Sequence, residues 1–177
     1  GDWSSDVCSS DLGRACPSDP DVRGAWLGFT WTHTKAHLYR AVLESIAYDY
    51  AAALAVVREY SPSVHFSEVR VIGGGANSDL WNQIKADVLG VPYVRLQRSD
   101  VAALGCAILA GAAVGIYPDL AATARRFSQT VGRIEPRPAY HRHYEAYVQA
   151  YIQAFDPLRS VYQTLSALQA TPFVDEE

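Results

Sequence analysis

Residues Tyr39, Val42, Leu43, Ile46, Tyr50, Leu54 and Val57 recur at three- and four-residue steps, the period of an amphipathic helix. Thr34 is a suitable N-cap for it, and Ser61-Pro62 stops it, because the proline ring disfavours helical backbone in the residue before it. The approach to this helix, Ala25-Trp26-Leu27-Gly28-Phe29 with Trp31, is apolar, and the preceding residues 13–21 read as a Pro- and Asp-rich loop. The pattern then changes period. Val69-Arg70-Val71-Ile72, rich in β-branched side chains, predicts a short buried strand that Gly73-Gly74-Gly75 ends. Asn77 or Ser78 opens a second helix with Asp79 in its first turn, placing Leu80, Trp81, Ile84, Val88 and Leu89 on one side. Gly90 closes it and Pro92 follows.

Residues 91–96 predict a second strand, parallel to the first because a helix intervenes. Asp100 is placed to cap the next helix. In it Ala102, Ala103, Gly105, Ala107, Ala110, Gly111, Ala112 and Ala113 leave almost no side-chain bulk, so we expect a buried helix pressed against another backbone. A short helical piece spans 120–127, residues 135–138 read as a loop, and Tyr140, Tyr144, Tyr147, Tyr151 and Phe155 form an aromatic stripe on a last helix. Asp156-Pro157 predicts a kink or restart there, and residues 171–177 a frayed end.

Strand, helix, strand, helix describes one right-handed βαβ crossover with a glycine turn after its first strand. Such a turn brings bare backbone up to a ligand, since glycine lacks the Cβ that would block approach, and the amides of the following helix favour a negative group. It also occurs as a purely structural device. For Asn77 and Ser78, N-capping and ligand contact are compatible readings. Two strands are too few for an α/β sheet, so the fold reads as incomplete.

Composition narrows the classes. The chain has 177 residues, 49% hydrophobic and 19% charged, with a formal net charge of −4, which fits one soluble globular domain and gives no field to attract nucleic acid or an anionic membrane. Residues 101–117, the longest weakly polar stretch, are just short of a bilayer span. Cys8, Cys16 and Cys106 show no metal-ligand spacing, pointing to a reducing, cytoplasmic setting. Methionine is absent even at position 1, from which we expect a sequence cut or processed at its start. Residues 2–12 have neither periodicity and resemble the translated frame of a sequencing-library adapter. We set segment 1–12 aside as artefactual or disordered, the alternative being a natural tail; either way Trp3 and Cys8 carry no function.

Four separated motifs occur in order: Arg23-Gly24-Ala25-Trp26-Leu27-Gly28; His33-Thr34-Lys35-Ala36-His37-Leu38-Tyr39-Arg40 running on to Ala47; Ile72-Gly73-Gly74-Gly75-Ala76-Asn77-Ser78 with Trp81 and Ala86-Asp87-Val88-Leu89-Gly90; and Ala103-Leu104-Gly105-Cys106-Ala107 with Ala110-Gly111. From residue 13 to the end the chain resembles the C-terminal domain of FGGY carbohydrate kinases, xylulokinase-like members above all. The resemblance implies an α/β, helix-rich, partial RNase H-like ATPase domain of the actin, hexokinase and Hsp70 superfamily, with two remaining parallel strands. It further implies a split site. The turn binds adenosine, making Gly74, Gly75, Ala76, Asn77 and, more weakly, Ser78 the ATP-site residues. Such kinases move the γ-phosphoryl group of ATP to a sugar or polyol hydroxyl, with Mg²⁺ on the phosphates and an Asp as base. The sugar-binding domain, that Asp and the phosphate hairpins precede the segment that begins at Gly13, so no catalytic and no metal-ligating residue is assigned here, and residues 13–177 alone are expected to be inactive. Asp19, Asp21, Asp87 and Asp100 are not promoted to the base; Asp87 inside a helix and Asp100 before one read as solvated or capping groups.

The remaining candidates read as structural. His33 and His37, spaced i and i+4, could share a metal, but no third ligand follows, and a helix-start role is preferred. His141 and His143 read as solvated, the tyrosine stripe as core or interdomain packing, and Cys106 as a small buried hydrophobe. Two rival functions stand beside the kinase: a non-catalytic nucleotide-binding module, and a dinucleotide-dependent oxidoreductase in which Arg95, near the end of the second strand, would prefer a phosphate. The latter is weakened by Ser78, where a third glycine should stand. Xylulose is the first-choice substrate, with ribulose, gluconate and glycerol open; a homodimer is left open too.

Overall fold

The computed structural model describes Arg14–Ala15, Ser18–Asp19 and residues 22–97 and 100–170. The set-aside segment with Trp3 and Cys8, and also Cys16, Asp21 and the tail at 171–177, lie outside the described residues. The chain divides into two compact units, one taking the described residues up to Pro62 together with those from Glu145 onward, the other Ser63–Tyr144.

In the first unit the expected loop carries a minimal antiparallel pair, β1 (Arg14–Ala15) with β2 (Ser18–Asp19). Helix α1 (Lys35–Tyr60) starts and stops where the sequence predicts, with Thr34 as N-cap and Ser61 as C-cap. Its start is a capping box in which a histidine replaces the usual Glu or Gln: the Thr34 N–H donates to His37 Nδ1 at 3.1 Å, satisfying a backbone donor that the helix leaves orphaned. The buried face is rotated from the predicted stripe. Leu43, Ala47, Tyr48 and Ala52 are buried, whereas Tyr39, Val42, Tyr50 and Val57 are exposed. The reason is the partner: Tyr48 packs against Tyr151, ring centroids 5.7 Å apart, and Tyr151 packs edge-on to Phe155 at 5.0 Å, so this part of the aromatic stripe selects the covered side of α1, while Tyr140 and Tyr147 of the same stripe are exposed. These aromatics belong to α5 (Pro138–Ala170), which runs through Pro157 without a break. The predicted restart is absent; one proline removes one i→i−4 bond, a loss of about 3 kcal/mol that long flanking helix can absorb.

The second unit holds a three-stranded mixed sheet in the order β3 (Val69–Val71), β4 (Tyr93–Leu96), β5 (Thr130–Ile134). Strands β3 and β4 are parallel as predicted, with Val69 opposite Tyr93. The expectation of only two parallel strands is corrected by β5, antiparallel to β4 with Arg95 opposite Gly132. Its sequence, Thr-Val-Gly-Arg-Ile, hides it: the central glycine weakens strand character and most of its side chains are exposed, as on an edge strand. Arg133 pins it through Glu68, 2.8 Å away, and Glu135, at 2.6 Å. Hydrogen bonds from Arg70 and Arg133 hold the Glu68 carboxyl below its usual range.

Helix α2 (Asp79–Leu89) ends at Gly90, which takes the left-handed conformation (φ 67°). Ile84, Ala86, Val88, Leu89, Tyr93 and Val94 form the core of this unit. The single apolar face predicted for α2 understates its burial, since Asn82, Lys85 and Asp87 are buried as well, while Leu80 is exposed. Helix α3 (Val101–Ala113) shows the opposite. Only Ile108 and Gly111 are buried, and Cys106 is exposed, so neither the buried Ala/Gly helix nor the buried cysteine is found. Gly111 admits the Tyr117 ring, which would meet a Cβ at 2.6 Å, and Tyr117 leads to Phe127 of α4 (Leu120–Phe127). No helix among the described residues is long and apolar enough to cross a membrane.

Candidate functional site

Between β3 and α2 the chain makes a turn in which each glycine has its own reason. Gly73 has φ 76° and ψ −174°, a region essentially closed to other residues. A one-turn 3₁₀ helix, Gly74–Asn77, follows, with the Ala76 N–H donating to the Gly73 carbonyl at 3.2 Å. Gly74 is exposed, and a Cβ there would meet nothing within 4 Å. At Gly75 a Cβ would lie 2.8 Å from the Trp81 ring, so this glycine exists to receive the indole. Ser78, rather than Asn77, caps α2: its Oγ accepts from the Trp81 N–H at 3.3 Å. Ala76 is buried, and its carbonyl accepts from Asn82 Nδ2 at 2.8 Å. The Lys85 ammonium lies 3.6 Å from the centre of the Trp81 ring, a cation–π contact, and its burial lowers its pKa. Trp81, Asn82 and Lys85 thus form a packed layer under the turn.

The five sequence-predicted residues divide accordingly. Gly75 and Ser78 are occupied with Trp81 and shape the turn, while Gly74 and Asn77 are exposed. Ala76 and Asn77 line a cavity of about 130 Å³ with Val71, Arg95, Gln97 and Val131 among its other walls. It lies at the carboxyl ends of β3 and β4, where open α/β sheets take ligands. Sequence reasoning met Arg95 only as a mark of the oxidoreductase rival; its place in this cavity depends on β5, which the pattern did not reveal.

The other candidates resolve structurally. Asp87 is neither solvated nor capping its own helix. It is fully buried, and its carboxylate accepts from the Arg137 N–H (2.7 Å), Arg137 Nη2 (2.6 Å) and Nε (3.0 Å), and Gln83 Nε2 (3.0 Å). This pairing raises the Arg137 pKa. His141 is not simply solvated: its Nδ1–H donates to the Asp87 carbonyl at 2.9 Å, and its ring lies where a Cβ on Gly90 would stand. Asp100 occupies the N-cap position of α3 without a side-chain capping bond. His33 and His37 serve the start of α1, each Nδ1 accepting from the N–H three residues earlier. Among the described residues no group of three His, Cys, Asp or Glu side chains could hold a metal.

Residues 9–114 match the C-terminal domain of the FGGY family of carbohydrate kinases. A glycerol kinase of Dechloromonas aromatica is 48% identical over 101 residues, covering 57% of this chain and 20% of the relative. A xylulose kinase of Staphylococcus epidermidis is 32% identical over 138 residues, covering 78% and 27%. Among solved structures, ligand-bound xylulose kinase from Lactobacillus acidophilus superposes with a TM-score of 0.75 at 26% identity, covering 88% of this chain and 31% of that one. A strand, a glycine turn and a buried helix, continued by a mixed sheet, are therefore here part of the actin/hexokinase-like fold of the sugar kinases. The chain belongs to the FGGY family of carbohydrate kinases, and it spans between about a fifth and just over a quarter of the length of these two curated relatives.

Proposed function

We propose that this chain supplies the adenosine side of the ATP site in a kinase that phosphorylates a hydroxyl of a small polyol or sugar, with Gly74, Ala76 and Asn77 as the contact and Gly75 and Ser78 holding the shape of the turn. The observation that supports this most directly is the asymmetry of the turn. Its protein side is locked by Trp81 and Asn82, while at Gly74 a Cβ would meet nothing within 4 Å. Rigid backbone with one open face is what close approach of a nucleotide requires. ATP provides the phosphoryl group, and Mg²⁺ neutralises charge on it. Binding and orienting adenosine is the task of this segment in that reaction. Asp87 is not the base in this reading, since its carboxylate is committed to Arg137. Identity favours glycerol over xylulose as the first substrate to assay, at 48% against 32%.

Titration of the 177-residue chain with ATP and with NADPH, followed by phosphorylation assays on glycerol and xylulose, tests the reading. Binding of ATP without NADPH, and no phosphorylation of either alcohol, is expected. Tight NADPH binding would return the oxidoreductase, and turnover by this chain alone would refute the split site. Gly74→Val is expected to weaken ATP about tenfold or more with an unchanged melt, because the new side chain meets open space.

A further inference from the structure

Strand β4 ends on a cation that several features aim in one direction. Arg95 stands opposite Gly132 in the antiparallel pair, and its Nη2 and Nε lie 3.7 and 3.8 Å from where a Cβ on Gly132 would be. A Cβ at 132 would touch the guanidinium at ordinary van der Waals distance, so the Arg95 side chain lies along β5 beside Gly132. The β4–β5 register shifts between Arg95 and Leu96, an irregularity of the kind that re-aims a side chain beside a functional site. The result brings Arg95 into the cavity shared with Ala76, Asn77 and Gln97.

The electrostatics of this position are specific. Arg95 Nη1 is 3.4 Å from Asp79 Oδ1, in the first turn of α2. That carboxylate is 83% exposed, so the pair contributes little. A helix N-terminus already carries partial positive charge from its free amides, and a cation beside it is disfavoured unless a negative group is present. Asp79 supplies one such charge, weakly held. A polyanion entering the cavity would meet both positive sources and could displace Asp79 at small cost.

The geometry points to Arg95 as a phosphate-binding residue, its guanidinium fork holding phosphate oxygens of the nucleotide whose adenosine lies on the Gly74–Asn77 turn. This rests on the nucleotide reading above and adds what glycine backbone lacks, a charged donor pair that distinguishes a nucleotide from its nucleoside.

The test compares ATP with adenosine on the full 177-residue chain, by calorimetry, for the unsubstituted protein and Arg95→Gln. Loss of a charge-assisted hydrogen bond is expected to weaken ATP by about tenfold to a hundredfold and to leave adenosine within about twofold. Equal loss for both ligands, or none for ATP, overturns the assignment while the adenosine site stands. Binding of neither ligand by the unsubstituted chain refutes the nucleotide reading and this inference with it. If R95Q does not melt cooperatively, the unsubstituted chain decides: ATP must bind about tenfold or more tighter than adenosine, with the gap narrowing between 0.15 and 1 M salt, on the order of the screening expected for an exposed charge. Equal affinities overturn the assignment.

Discussion

Helices α2 and α3 belong to the same compact unit and contradict their own compositions. From Val101 to Ala113 there is no charged residue, yet most of α3 is exposed. Helix α2 contains Asp79, Lys85 and Asp87, yet from Asn82 to Leu89 all residues but Gln83 are buried. The difference lies in what meets each helix. Helix α2 is flanked by β4 and by the loop before α5, which supplies polar partners: the Glu135 carbonyl for Gln83 and Arg137 for Asp87. The Asp87 carboxylate is therefore buried with hydrogen bonds, which removes most of its penalty. Lys85 is buried against the Trp81 ring, and Asn82 is buried with its Nδ2 bonded to Ala76 while its Oδ1 has no partner among the described residues. Helix α3 is covered locally by Tyr117, through Gly111. Hydropathy tells what a helix could bury, and its neighbours decide what it does bury.

Three substitutions can break or sharpen this contrast. The largest effect is expected from Arg137→Ala, which leaves the Asp87 carboxylate buried without its charge partner; a loss of about 3–5 kcal/mol should appear in urea unfolding, and a loss below about 1 kcal/mol would mean that Asp87 is not held as described. Next is Lys85→Met, followed across pH. Burial lowers the folded pKa of Lys85 below its unfolded value, so the unfolded chain binds the extra proton, and unsubstituted stability rises with pH between the two values, by up to ~1.4 kcal/mol per pH unit. The stability of K85M relative to the unsubstituted chain should thus fall as pH climbs toward 10.5; a constant difference would show that the ammonium is solvated. The smallest effect belongs to Leu109→Gln on the exposed side of α3, expected within about 0.5 kcal/mol by thermal melting. A loss several times larger would mean that α3 is covered after all.

The candidate site was legible where its chemistry is local. The glycine turn and the capping of α2 follow from backbone rules acting over a few residues, and the structure chose Ser78 where the sequence left Asn77 and Ser78 open. The separate tasks of the three glycines were not legible, because Gly75 answers to an indole and Gly73 to a dihedral angle. Arg95 was visible as a residue but without surroundings, since β5, whose Gly132 and Val131 lie beside it or share its cavity, has a pattern too weak to read. Asp87 was read as solvated because its partner is 50 residues away. His33 and His37 were read correctly as helix-start groups, their bonds reaching only three residues back.

By itself the sequence determined where elements begin and end: Thr34 and Ser61 around α1, Gly90 after α2. These are decided by capping bonds and allowed backbone angles, which involve only neighbours in the chain. It also determined the family, whose motifs are short and ordered. Tertiary structure alone decided which face of α1 is buried, that α2 is enclosed and α3 exposed, that a third strand runs antiparallel to β4, and that Arg95 lines one cavity with Ala76 and Asn77 of the turn. Burial and long-range ion pairs depend on atoms brought together by the whole fold, and no periodicity within one helix or strand contains the identity of its neighbour.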